Sequence, residues 1–199
     1  PESEFQRLAS WGEALSPYIA DTAPMVDAAL DRDASVILEA QLGALRDIGH
    51  GIYPFTTSSS VLAGYAAAAV PIPARLIKKV TGITKAYSTC VGAGPFATEL
   101  FGDLAHTIRE TGKEYGAKTG RPRRIGYFDA VATRYGARLQ GADEMAITCL
   151  DVLSGIDPIE ICVAYDINDS RTDRFPIYPE LVRAKPVYES AQGGSEKIS

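Results

Sequence analysis

Apolar side chains recur at helical spacing along the first thirty or so positions: Leu8, Trp11, Leu15, Tyr18 and Ile19, then Met25, Val26, Ala29 and Leu30. That is the 3.6-residue period of amphipathic helices, interrupted at Pro17 and Pro24. Pro24 follows Asp21-Thr22-Ala23 and suits the first turn of a fresh helix. Ser35-Val36-Ile37-Leu38 reads as a short buried strand. Periodicity is lost over residues 39–60, where Gly43, Gly49, Gly51 and Pro54 fall. An alanine-rich helix is expected over residues 61–69, ended by Pro71 and Pro73.

Residues 81–91 are β-branched and aromatic enough for one strand, leading into Gly92-Ala93-Gly94-Pro95. A short helix is expected over residues 104–111 and a loop over residues 116–124, from its glycines and proline. Phe128, Val131, Ala132, Tyr135 and Leu139 form one face of a helix. Residues 145–150 and 159–165 are the clearest strands. Beyond Asn168 the pattern fades into an irregular polar tail over about residues 168–199. Strands alternating with helices predict an α/β fold, a mostly parallel sheet flanked by helices, in a single domain or part of one.

Composition adds limits. Hydrophobic residues make up 46% and charged residues 23% of 199 positions, a globular balance. A net charge of -5 argues against a surface built to neutralise nucleic-acid phosphates. Cys90, Cys149 and Cys162 form no CxxC pair, so neither a disulfide framework nor a zinc site is expected. His50 and His106 are too few for a histidine-rich metal centre. No apolar run approaches a membrane span and no signal-peptide pattern opens the chain, so a cytoplasmic protein is expected. The chain starts at Pro1, as a protein with its initiator methionine removed, a processed product or an excised portion would.

The richest candidate chemistry lies in Gly116-Ala117-Lys118-Thr119-Gly120-Arg121-Pro122-Arg123-Arg124. Backbone N–H groups of a glycine-bearing loop can converge on an anion, and guanidinium groups match carboxylate or phosphate with two parallel bonds. A solvated basic loop ahead of a helix would read the same way. Thr56, Thr57, Ser58, Ser59 and Ser60 line up five hydroxyls before a helix, which suits a phosphate; such runs are commonly plain turns. His50 between glycines is more often structural than catalytic. Gly92-Ala93-Gly94-Pro95 lacks the third glycine of a dinucleotide fingerprint. Asp151 follows a strand, where it can accept from a guanine edge or simply cap a turn.

Taken in order, several segments resemble adenylosuccinate synthetase. They are Asp47-Ile48-Gly49-His50-Gly51-Ile52-Tyr53-Pro54 with Thr57-Ser58-Ser59, and Lys85-Ala86-Tyr87-Ser88-Thr89-Cys90-Val91-Gly92-Ala93-Gly94-Pro95-Phe96 with Thr98-Glu99-Leu100. Residues 116–124, Phe128-Asp129-Ala130-Val131-Ala132, Leu150-Asp151-Val152-Leu153, Ile161-Cys162-Val163-Ala164-Tyr165 and Pro186-Val187-Tyr188-Glu189 continue the match. The resemblance implies the central part of a P-loop-like, GTPase-related fold. It implies a C–N ligase that joins IMP to L-aspartate with GTP and Mg²⁺ through a 6-phosphoryl-IMP intermediate in purine nucleotide biosynthesis. The implied contacts are Thr57, Val91 and Arg121 to IMP, with the Val91 backbone held by Arg121. Lys118, Thr119, Arg121 and Arg123 are implied for aspartate, and Arg123, Cys149 and Asp151 for GTP, with Arg123 near the transferred phosphoryl. A homodimer or association with a homologous chain is implied too.

Departures from the family pattern fall in the ligand-contacting segments. Leu42 stands where the family has glutamine, Gly49 where it has aspartate, Cys90 where it has arginine, Lys118 where it has threonine and Cys149 where it has lysine. The family's glycine-rich phosphate loop, catalytic aspartate and histidine have no counterpart in this sequence, which leaves no catalytic residue and no metal ligand to assign. Since phosphoryl transfer needs loop, metal and base together, no adenylosuccinate formation is expected from this chain alone. The alternative expectation is a non-catalytic nucleotide-binding or dimerisation module derived from the enzyme.

Overall fold

The computed structural model describes residues 2–194. Five helices occur among them: α1 (Glu2–Leu15), α2 (Ala23–Asp31), α3 (Ala63–Ala69), α4 (Gly102–Thr111) and α5 (Ala130–Gln140). The strands are β1 (Thr81–Lys85), β2 (Ser88–Cys90), β3 (Glu99–Leu100), β4 (Arg124–Gly126), β5 (Phe128–Asp129), β6 (Glu144–Thr148), β7 (Ile159–Ile167), β8 (Ser170–Thr172) and β9 (Lys185–Ala191). The class is α/β, as expected. Parallel pairing joins β1 to β6 and β5 to β7. Antiparallel pairing builds the β2-β4-β3 ribbon and adds β8 and β9 to β7.

Two apolar cores hold these layers. Ala86, Tyr87, Ala105, Ile108, Ile125, Val152 and Leu153 bury together, so α4 packs on the β2-β4-β3 ribbon. Val131 of α5 packs with Cys162 and Tyr165 of β7. Asp129 starts α5: one carboxylate oxygen accepts from the Ala132 N–H at 2.9 Å and the other from the Tyr165 hydroxyl at 2.5 Å. This N-cap satisfies an N–H that the first helical turn leaves without a partner.

Three expectations change. Residues 35–38 are irregular, and Ile37 is 91% exposed, because no strand among the described residues pairs with them. Residues 81–91 are two strands, not one. The chain breaks at Ala86 and Tyr87, whose side chains turn into the core, so β1 and β2 join different sheets. The expected polar tail contains β8 and β9, and β9 pairs along β7 from Ile159 to Asp166. Its alternation is blurred by Pro186 and by a register shift opposite Cys162 and Ala164. Residues 195–199 of that expected tail lie outside the described residues.

Candidate functional site

Asp47 organises the hydroxyl-rich loop. It is 1% exposed and accepts from the N–H groups of Gly49, His50 and Val61 at 2.9, 2.9 and 3.0 Å, and from the Ser60 hydroxyl at 2.7 Å. Burial alone would push its carboxyl up; the Ser60 hydroxyl and the three N–H donors outweigh that and hold it below the ordinary value. The loop therefore folds back around one carboxylate, and Gly51 permits the return. A Cβ there would sit 2.4 Å from the Leu45 carbonyl oxygen.

Arg46, next to it, ties this loop to the glycine turn. Its guanidinium donates to the Phe55 carbonyl at 2.5 Å, to the Cys90 sulfur at 2.7 Å and to the Val91 carbonyl at 2.9 Å. The Thr57 N–H donates to the Arg46 carbonyl at 2.9 Å. Thr57 and Val91 thus share one arginine as their neighbour. The residue that bonds the Val91 carbonyl among the described residues is Arg46, whose side chain spans from the Phe55 turn to the end of β2.

The basic loop joins on the other side. Cys90 pairs in register with Arg124. The Arg124 guanidinium donates to Glu99 at 2.7 Å and to the carbonyls of Gly92 and Gly94 at 3.2 and 2.9 Å. Gly94 has φ +118°, and a Cβ there would meet the Phe55 ring at 2.9 Å, so the turn accepts only glycine without shifting that ring. Residues 46–57, the 90–94 turn and Arg124 at the base of the basic segment are therefore tied together by two arginines and a strand pair.

Residues 115–122 form a closed hairpin. Tyr115 bridges Pro122, the Gly116 N–H donates to the Arg121 carbonyl at 2.9 Å, and the Gly120 N–H donates to the Gly116 carbonyl at 2.8 Å. Lys118, Thr119 and Arg121 lie exposed on it. Among the described residues, neither Lys118 nor Arg121 makes an ion pair. Their charges face solvent and are available to an anion. Arg123 differs: its guanidinium donates to Glu114 at 2.8 Å, and its Nε is buried without a partner among the described residues.

Cys149 and Asp151 sit just beyond the C-terminal end of β6. Cys149 takes a left-handed backbone, φ 58°, and packs against the core that contains Tyr87. Asp151 opens a single 3₁₀ turn, exposed, and caps nothing with its side chain. An uncommitted carboxylate at a strand end suits a donor-bearing ligand edge. Arg46, Asp47, Glu99 and Glu114 were given no role by the sequence. Asp47, two and three positions before the Gly49 and His50 N–H groups it accepts from, has the spacing of an Asx turn and could have been found. Arg46 and Glu114 act across long sequence separations and left no local signal. Among the described residues no three His, Cys, Asp or Glu side chains converge on one point.

In this α/β scaffold the glycine turn meets the hydroxyl-rich loop through Arg46 and the base of the basic hairpin through Arg124. The chain belongs to the adenylosuccinate synthetase family, whose family model matches residues 1–199. It is 47% identical over 195 residues to the adenylosuccinate synthetase of Parafrankia sp. (strain EAN1pec), covering 98% of this chain and 46% of that protein. It is 44% identical over 199 residues to that of Nocardioides sp. (strain ATCC BAA-499 / JS614), covering 100% and 46%. A structure of fully ligated adenylosuccinate synthetase from Plasmodium falciparum superposes with TM-score 0.93 at 33% identity, covering 99% of this chain and 48% of that one. The chain thus spans about half the length of the curated relatives it matches. A cyanophage S-2L succinoaminodeoxyadenylate synthetase shares the fold, with TM-score 0.57 at 22% identity. No helix among the described residues is long and apolar enough to cross a membrane.

Proposed function

We propose that this chain carries the part of an adenylosuccinate-synthetase-type site that receives IMP and the L-aspartate carboxylates, within a GTP-dependent ligase of purine biosynthesis. The observation behind this reading is that Arg46 ties the hydroxyl-rich loop to the 90–94 turn, while Arg124 ties the base of the basic hairpin to the same turn. In it, the Thr57 hydroxyl and nearby N–H groups take the IMP phosphate and the exposed Val91 lies along the ribose. Lys118, Thr119 and Arg121 take the aspartate carboxylates, with Arg121 shared between the two ligands. Arg123 stands close behind, already half committed to Glu114. Asp151 reads the guanine of GTP, and Cys149 occupies the flank of that base. The family's Mg²⁺ would need phosphate oxygens as its main ligands here, because the described residues offer no cluster of protein donors.

Calorimetric titration of the chain with IMP and with L-aspartate tests the proposal. Saturable IMP binding is expected, weakened about tenfold or more in Arg121→Ala, the loss of a charge-assisted contact. Silence toward both ligands would overturn the proposal and favour the non-catalytic module, a reading that Leu42, Gly49 and Cys90 support by their chemistry. Cys90 is bonded to Arg46 here, which leaves that guanidinium spent on protein groups.

A further inference from the structure

Beneath the basic hairpin lies a polar knot that no ligand contact explains. The Glu114 side chain is 5% exposed, and its two oxygens divide their partners. One accepts from Lys85 Nζ at 2.6 Å and from the Tyr87 hydroxyl at 2.7 Å; the other accepts from Arg123 at 2.8 Å. Lys85 Nζ also donates to the Thr89 hydroxyl at 2.6 Å. Burial alone would push the Glu114 carboxyl up, but Lys85, Tyr87 and Arg123 together hold it below its ordinary value, so it is ionised at neutral pH. Burial, and then Glu114 itself, push the Tyr87 hydroxyl up, so Tyr87 remains a donor.

The same residue grips Arg123 by its backbone. The Arg123 N–H donates to the Glu114 carbonyl at 2.9 Å, and the Arg123 carbonyl accepts from Arg109 Nε of α4 at 2.9 Å. Glu114 and Arg123 are therefore the two posts on which the hairpin stands. The side-chain pair fixes those posts against β1 and β2 through Lys85, Tyr87 and Thr89. A buried carboxylate with two cationic partners is costly to leave half paired. Its place at the root of an exposed loop suits orientation of that loop better than surface attraction does.

We propose that Glu114 is a positioning residue: acting through Arg123 and Lys85, it sets the angle and rigidity of the hairpin that presents Lys118, Thr119 and Arg121 to a dicarboxylate or phosphate. The ligand class rests on the function proposed above, whereas the effect on the hairpin does not.

Backbone amide exchange in the intact chain separates the two. In Glu114→Gln, which keeps the shape and removes the charge, the Gly116, Gly120 and Arg123 amides are expected to exchange about tenfold faster or more, while α5 stays at wild-type protection. Glu114→Asp is expected to recover part of that protection. Unchanged hairpin amides, or loosening that spreads equally to α5, would overturn the proposal. Should Glu114→Gln fail to fold, Arg123→Gln removes the same ion pair and carries the same expectation for Gly116 and Gly120. Titration of the same variants with L-aspartate then bears on the ligand. An affinity at least tenfold weaker in Glu114→Gln supports the whole chain of effects, and an affinity equal to wild type overturns the link from hairpin to ligand. A wild-type chain that binds neither ligand sinks the function alone.

Discussion

Asp47 shows how one side chain can decide the shape of a loop that presents backbone donors. Its four hydrogen bonds gather residues 49–61 around a carboxylate that is nearly sealed from water. Removing it leaves three N–H groups and a hydroxyl competing for partners in a site that water enters poorly. Asp47→Ala is expected to cost about 3 kcal/mol of unfolding free energy, measurable by urea titration. The pH dependence follows in sign from the folded carboxyl lying below its ordinary value of 3.8. The stabilisation is complete above that value and is lost as pH falls through the lower, folded one. Glu114 acts in the same sense, from an ordinary value of 4.5. Wild-type protein should therefore lose urea resistance between pH 5 and pH 2 more steeply than Asp47→Ala does; parallel slopes would remove Asp47 from the account.

At the level of elements, the coupling of α5 to β7 is the clearest long-range device. Asp129 caps α5 with one oxygen and takes the Tyr165 hydroxyl with the other, so the helix start and the strand centre are fixed by one group. Tyr165→Phe is expected to cost about 1–2 kcal/mol, and Asp129→Ala about 2–3 kcal/mol. In a double-mutant cycle the two should fall short of additivity by about 1 kcal/mol, because each removes the same bond. Full additivity in urea denaturation would mean that the contact contributes nothing. Elements of this kind also mark what was legible in the sequence. The helices α1, α2, α3, α4 and α5 follow local periodicity, and so do β6 and β7. β9 and the break between β1 and β2 do not, because pairing with β7 and burial of Ala86 and Tyr87 against α4 and β4 decide them from far along the chain. The same division runs through the candidate site. The hairpin residues stand together in sequence and were legible as a group, whereas Arg46 and Glu114 take their places only once Cys90 of β2, 44 residues away, and Lys85 of β1, 29 residues away, are folded beside them.

For the whole molecule, the β1–β6 pair raises the question of what a parallel sheet does without cover. Residues paired in register share a face, so Gly82 with Met145 and Thr84 with Ile147 line one side, and Ile83 with Ala146 lines the other. Ile83 is 74% and Ile147 52% exposed, so both faces carry apolar surface toward water. Parallel sheets are ordinarily covered on both faces, and an open apolar edge is a template for further pairing. The relatives are about twice as long as this chain, so their additional length is available for that cover. The chain by itself is expected to bind a hydrophobic dye and to increase in apparent mass with concentration in sedimentation runs. The pair Ile83→Thr and Ile147→Thr keeps β-branching while removing apolar area. It should lower dye fluorescence and return the sedimenting species toward a monomer, with the urea midpoint little changed because neither side chain is buried. If the double variant sediments and binds dye as the wild type does, the association surface lies elsewhere. The uncovered apolar face of α1, with Phe5, Leu8, Trp11 and Leu15 exposed, would then be the next surface to substitute.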